Sequence, residues 1–412
     1  MKIRKYLCFI LLVLLISVSA MMFSSCKTET PFKVGVLLLG VEDDSGYSYE
    51  HVRGIRMAQA EANLSNDDVI IIENVPDTDD VAVKNHIDSL INNGCNFIIG
   101  TSYGFMTAMK QAALQYPEII FTHATGSMDT FGEGEPGNLN HYFGRIYQAW
   151  YLAGIVAGLS VSEQENIGYI SSFGNDNGEA SSAINAFALG VQTVNLNSQI
   201  YVKVLDSWYN PTKETLFAEE LINTHNCQLI VYDTDTANPS IVARDAGKKS
   251  IGYNSDMSKL REDGDNSVLT SVLWNWGAYY TKAFKIARSC FDANMKFVSI
   301  EPWRKLGNVY GDYTENLYEL AELSPSCPPD VAERLALVRD KFMSVPRNWD
   351  VFTDFELHFE LRSGKYELKT IERPLVDGND TVILTIDDDD LRKGMNFWVR
   401  GIIELDRDEP EN

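Results

Sequence analysis

A doubled alternation of short apolar runs and helix-length stretches constrains this chain more than any other feature. Residues 33–39 are a near-continuous apolar run, the pattern of a strand covered on both faces. A helix-like stretch over 49–63 follows, then apolar residues 69–73, a helix over 79–92, a strand at 97–100, a helix over 105–115 and a strand at 118–123. Four strands with three crossovers predict a parallel sheet. After a Gly-rich loop at 126–140 the alternation restarts. It predicts helices at 147–159, 180–195, 212–223 and 239–246, interleaved with strands at 167–171, 200–205, 229–232 and 251–253. A strand at 267–273 and a helix at 279–289 come next. The expected class is α/β, with two parallel-sheet lobes in series. Beyond residue 296 only short antiparallel pieces are expected, at 355–361, 364–368 and 382–386.

The first 26 residues stand apart. Lys2, Arg4 and Lys5 precede an apolar run over 7–20, and Phe23-Ser24-Ser25 leads into Cys26 and the polar Lys27-Thr28-Glu29. A charged start, an apolar middle and small residues before one cysteine resemble a bacterial lipoprotein signal. Phe23 stands where such signals usually carry Leu. Cys26 would become the lipidated first residue, with the rest of the chain outside the cytoplasm and anchored to a membrane. An uncleaved signal anchor is the alternative, but the run is short for a span of about 20 residues. The remainder suits two lobes of roughly 150–200 residues each. A net charge of −23 excludes nucleic acid as a partner and repels anionic lipid head groups. Cys95, Cys227, Cys290 and Cys327 lie far apart with no CxxC pair, which argues against a metal site. Cys95 and Cys227 precede similar apolar strands and read as small buried hydrophobes.

Ligands in open parallel sheets gather beyond the carboxyl ends of the strands. Aromatic residues crowd those positions here: Tyr47 and Tyr49, Tyr103 and Phe105, Trp208 and Tyr209, Trp274 and Trp276. Any single ring can simply plug a loop onto the core. Four strand ends carrying rings point to a cleft that stacks a planar ligand. Ser45, Thr101, Ser102, His123, Asp206, Asp233, Asp235, Asn254, Asp256 and Asn275 also follow strand ends and could read the edge of a heterocycle. Each alone also fits a turn or helix cap, Asp256 before Met257-Ser258 above all. Catalytic and cofactor motifs fail on context. Gly132 to Gly137 matches GxGxxG but follows no strand and carries two glutamates where phosphate would lie. Asp233-Thr234-Asp235 lacks the further aspartates of a calcium-dependent nucleoside hydrolase, and no GxSxG stands at a strand-to-helix turn. Asp387 to Asp390 lacks the ligand spacing and Gly of an EF-hand. No cofactor is expected.

Several longer segments carry a resemblance. They are Asp44-Ser45-Gly46-Tyr47-Ser48-Tyr49-Glu50-His51 with Gly54, and Gly94-Cys95-Asn96-Phe97-Ile98-Ile99-Gly100-Thr101-Ser102-Tyr103. Further on come His123-Ala124-Thr125-Gly126, Tyr142-Phe143-Gly144-Arg145-Ile146-Tyr147 and Gly252-Tyr253-Asn254-Ser255-Asp256-Met257. Thr270-Ser271-Val272-Leu273-Trp274-Asn275-Trp276-Gly277 and Gly394-Met395-Asn396-Phe397-Trp398 complete the set. In this order they resemble the basic membrane protein family, substrate-binding lipoproteins of ABC importers that include purine nucleoside receptors. The resemblance implies a type I periplasmic-binding-protein fold, two lobes joined by crossovers and closing on a ligand cleft. It places residues 32–145 with about 255–295 in a first lobe and 146–254 with part of 296–412 in a second. The rest of 296–412 would pack on both as an irregular extension. It implies a small-molecule ligand, an ABC permease as partner, and no catalysis. A sensor delivering a ligand signal to a membrane receptor is the alternative, and a nucleoside-processing enzyme a weaker one. In nucleoside-binding members an aromatic from each lobe sandwiches the base, at positions matching Tyr47 and Trp208. Those members hold ribose with an Asp and a Lys where this chain has Asn254 and Trp274. Losing both charged groups points to a free purine base rather than a nucleoside.

Overall fold

The computed structural model describes residues 31–44, 46–125, 136–260, 265–344, 349–383, 386–387, 391 and 393–406. Cys26 with its leader, Ser45, most of the Gly-rich loop, and Asp388 to Asp390 lie outside them. In chain order the strands are β1 (Val34–Leu37), β2 (Val69–Ile72), β3 (Phe97–Gly100), β4 (Ile120–Ala124), β5 (Leu139–Gly144), β6 (Asn166–Ser171), β7 (Ile200–Val204) and β8 (Cys227–Tyr232). They continue with β9 (Lys249–Asn254), β10 (Val268–Trp274), β11 (Val309–Gly311), β12 (Tyr318–Leu320), β13 (Phe355–Arg362), β14 (Lys365–Glu372) and β15 (Ile402–Glu404). The α-helices are α1 (Tyr47–Glu61), α2 (Asp80–Asn92), α3 (Met106–Gln115), α4 (Tyr147–Ser160), α5 (Gly178–Gln192), α6 (Pro211–Asn223), α7 (Asn238–Asp245), α8 (Trp276–Arg288), α9 (Glu301–Leu306) and α10 (Val331–Phe342).

Two sheets form, ordered β11-β5-β4-β3-β1-β2 and β12-β10-β9-β8-β6-β7-β15. Every pairing in them is parallel except β10 with β12. In each lobe the strand order reverses once, between β1 and β3 and between β6 and β8. At such switch points the loops diverge to opposite faces of the sheet and leave a crevice. The chain crosses between lobes three times. β5 of the first sheet leads to α4, which packs along α5; β10 of the second leads to α8, which packs on α1; and β11 of the first leads to β12 of the second.

The sequence reading differs from this fold at three places. The stretch expected to be loop up to residue 140 already contains the start of β5, which pairs with β4. Its polar residues are buried and partnered: the Asn140 side-chain amide donates to the Trp303 carbonyl at 2.9 Å. The division that put residues 255–295 wholly in the first lobe separates at Asn275. β10 is buried at all seven positions and pairs with β9 and β12 in the second sheet, so only α8 packs on the first lobe. Residues 296–412 are also more than an extension, because β11, β12 and β15 add edge strands to both sheets. The hairpin β13–β14 stands as a separate two-stranded sheet.

All-round burial explains α4, which has apolar residues on every face rather than one. It meets α5 so closely that a methyl added at Gly154 would lie 2.1 Å from the Phe187 carbonyl oxygen, and one at Gly190 2.1 Å from that of Tyr151. No rotamer change relieves a clash with backbone. Gly154→Ala should therefore lower unfolding free energy by about 2 kcal/mol or more, as overpacked cores do. Urea denaturation checks this, and an unchanged midpoint would show that the helices can part at no cost.

Candidate functional site

Hydrogen bonds tie the loops across both switch points. In the first lobe, the Tyr47 hydroxyl at the start of α1 donates to the Thr101 carbonyl after β3, at 2.9 Å. In the second, the Ser172 backbone N–H after β6 donates to the Asp233 carboxylate after β8, at 2.5 Å. Asp44 organises the entry to α1, accepting from the backbone N–H groups of Gly46 and Tyr49 at 2.9 Å each. Tyr47 thus stands half-buried with its ring edge-on to His51 and Trp276. Trp208 is half-buried in the second lobe and packs edge-on to Phe173 at 5.3 Å. The Asp235 N–H donates to the Trp208 carbonyl at 2.9 Å, which joins the two segments. The lobes meet at this point: a methyl on Gly46 would lie 3.2 Å from the Asp235 carbonyl oxygen.

Other expected site residues separate into two groups. Asn254 is fully buried beside Asp235, its Nδ2–H donating to Asp235 Oδ1 at 2.5 Å. Trp274 is fully buried too, stacked on Trp276 at 4.2 Å and donating from Nε1 to the Tyr253 hydroxyl at 2.9 Å. The second group does not converge with these. Phe105 is a core residue of the first lobe. His123 is buried between the Ser102 carbonyl and His141, at 2.7 and 3.1 Å. Tyr49 and Tyr103 are exposed. Asp256 accepts from the Ser258 N–H and hydroxyl and is a turn residue, and Asn275 donates to the Asn316 carbonyl.

Residues that the sequence reading missed complete the second-lobe side. Glu179, in the first turn of α5, accepts from the Tyr253 hydroxyl at 2.5 Å, so Trp274, Tyr253 and Glu179 form one relay. The signal was present, since Asn177-Gly178-Glu179 follows β6, but it reads as an ordinary helix start and Asn177 does cap α5. Burial pushes the Glu179 carboxyl up to about 7, with neighbouring Asp233 adding to the rise against the Tyr253 bond. Burial likewise takes Asp233 to about 7 despite its bonds from Ser172 and Tyr169. Asp235 is raised well above its ordinary value by burial and then by Asp44, Glu179, Glu214 and Asp233. Among the described residues, no Lys or Arg stands among the main influences on any of the three. Among the described residues no group of three His, Cys, Asp or Glu is placed to hold a metal. All four described cysteines are free thiols, with Cys95 and Cys227 buried and pushed up to about 12 by that burial.

A carboxyl raised on folding keeps its proton in the native state after the unfolded chain has released it. Asp233 therefore costs stability as pH rises from about 4 to about 7, and the cost is absent below that window. Asp233→Asn should flatten the fall in melting temperature between pH 5 and 7.5. An unchanged slope in thermal scans would place the pH dependence elsewhere.

The family described as ABC transporter substrate-binding protein, PnrA-like (Bmp), matches residues 32–294. A purine-binding protein of Brucella abortus (strain 2308) is 28% identical over 382 residues, covering 93% of this chain and 96% of its own. A Haloferax volcanii protein provisionally named an ABC transporter glucose-binding protein is 34% identical over 183 residues, 44% of either chain. Among solved structures, a transcriptional activator of the comK gene from Bacillus halodurans superposes with TM-score 0.61 at 21% identity, over 77% of this chain and all of that one. A solute-binding protein from Conexibacter woesei superposes with TM-score 0.60 at 16% identity, over 78% and 99%. These likenesses show the two-lobed type I periplasmic-binding fold. Family members carry a ligand to a transporter and work outside the cytoplasm; among the described residues no helix is long and apolar enough to cross a membrane. The chain belongs to the family of PnrA-like ABC transporter substrate-binding proteins.

Proposed function

We propose that this protein captures a purine-type ligand for an ABC importer, prefers the free base to the nucleoside, and is anchored to the cell envelope through a lipid on Cys26. Tyr47 and Trp208 supply the stacking rings, one from each lobe. The ligand enters the open form, and the lobes close on it because ring contacts to both sides exist only in the closed form. The permease then reads the closed shape. The name of the Brucella relative supports a purine.

The observation that carries the base-over-nucleoside reading is the packing of Trp274. Where nucleoside-binding relatives are expected to place a Lys for ribose, this chain has a fully buried indole. It lies against Trp276 at 4.2 Å and Phe143 at 4.8 Å, with its N–H committed to Tyr253. Asn254 is committed to Asp235 in the same way. Neither offers a charged partner to a sugar hydroxyl.

Calorimetric titration with adenine, guanine, hypoxanthine, xanthine, their nucleosides and glucose tests this. A base is expected to bind at least tenfold tighter than its own nucleoside. A tighter nucleoside would end the free-base reading, and glucose alone would end the purine reading. Trp208→Ala should weaken base binding by about 10- to 100-fold, the worth of one base–aromatic stack of about 1–3 kcal/mol. Trp398→Ala should leave affinity within about twofold, because that ring lies against the core with its N–H donated to Glu404. Equal losses in the two variants would remove Trp208 from the site.

A further inference from the structure

We infer that the second-lobe side of the cleft is a wall of hydrogen-bond acceptors that reads an exocyclic amino group on the bound heterocycle. The inference rests on the purine reading above and adds which purines the site takes.

Asp235 sits between the segments that carry the two stacking rings. Its N–H is bonded to the Trp208 carbonyl, and Gly46, next to Tyr47, abuts it from the other lobe. Any flat ligand between Tyr47 and Trp208 therefore presents an edge to Asp235. The Asp235–Asn254 bond uses the donor end of the Asn254 amide. It leaves Asn254 Oδ1 fully buried with no partner. A buried acceptor without a donor is unfavourable and rare, so this atom calls for a ligand N–H. Asp233 and Glu179 stand nearby, each carboxyl raised by burial to about 7. The described residues do not assemble a metal site.

Acceptors on this wall discriminate between purines by one substituent. An amino group carries two N–H donors on one nitrogen and can satisfy Asp235 and Asn254 Oδ1 together. A ring carbonyl at the same position brings only lone pairs and leaves Asn254 Oδ1 without a donor. The wall thus selects aminopurines, adenine and guanine, over the oxopurines hypoxanthine and xanthine.

Titration of the purified full chain, unfolded and refolded to strip carried ligand, tests this with two matched pairs. Adenine and hypoxanthine carry amino or oxo at C6; guanine and xanthine carry amino or oxo at C2. The amino member of at least one pair is expected to bind about tenfold tighter or more. Asp235→Asn should bring that ratio close to one, with a wild-type circular-dichroism spectrum reporting that the isosteric variant folds. Equal affinities within both pairs, tighter binding of the oxo members, or a uniform loss across all four bases in Asp235→Asn would each overturn the acceptor wall and leave the purine reading standing. No binding by any of the four would overturn the purine reading, and the wall with it.

Discussion

At each switch point two neighbouring strands send their chains to opposite faces of the sheet, and the loops beyond them would drift apart without a tie. The Tyr47 hydroxyl on the Thr101 carbonyl is that tie in the first lobe, and the Ser172 N–H on Asp233 is its counterpart in the second. Both join a residue beyond the inner strand to one beyond its switch-point neighbour. Each also holds a side chain beyond the carboxyl end of a strand. The first sets the angle of the Tyr47 ring. The second holds a buried carboxylate in place although burial has raised its affinity for a proton. Rings and acceptors held this way need little reordering when a ligand arrives, and the binding free energy lost to ordering falls accordingly.

Behind these ties the interior is aromatic and nearly continuous between the lobes. Trp276 stacks on Trp274 on one side and on His51 on the other, at 4.2 and 4.6 Å. Such pairs contribute about 0.5–1.5 kcal/mol each beyond the area they bury. Trp274 ends a strand of the second sheet and Trp276 begins a helix packed on the first lobe. The crossover between lobes is therefore paved with indole rings. The same packing holds Trp274, the residue on which the proposed preference for a base over a nucleoside rests.

Much of the fold was legible because buried parallel strands are apolar on both faces and stand out from amphipathic helices. β1, β3 and β8 are of this kind. β5 was hidden because Asn140 and His141 look like loop residues; their partners, Trp303 and His123, are distant in sequence. Nothing local tells which sheet β10 joins, since a strand buried on both faces reads alike in either lobe. In the site, Tyr47 and Phe105 are both rings placed just beyond a strand. Only tertiary packing leaves one half-buried and sets the other in the core. Glu179 was invisible for a different reason, because an acidic residue in a helix first turn is the commonplace choice there.

The central claim is that a flat ligand lies between Tyr47 and Trp208 with one edge on Asp235 and no charged partner for a sugar at Trp274. A crystal structure with adenine bound measures this directly. The account predicts the purine ring parallel to both aromatic rings at stacking distance, its amino nitrogen within about 3 Å of an Asp235 or Asn254 oxygen, and Trp274 unmoved. Adenine lodged away from the Trp208 face, or Trp274 swung out to admit a ligand beneath it, would contradict it.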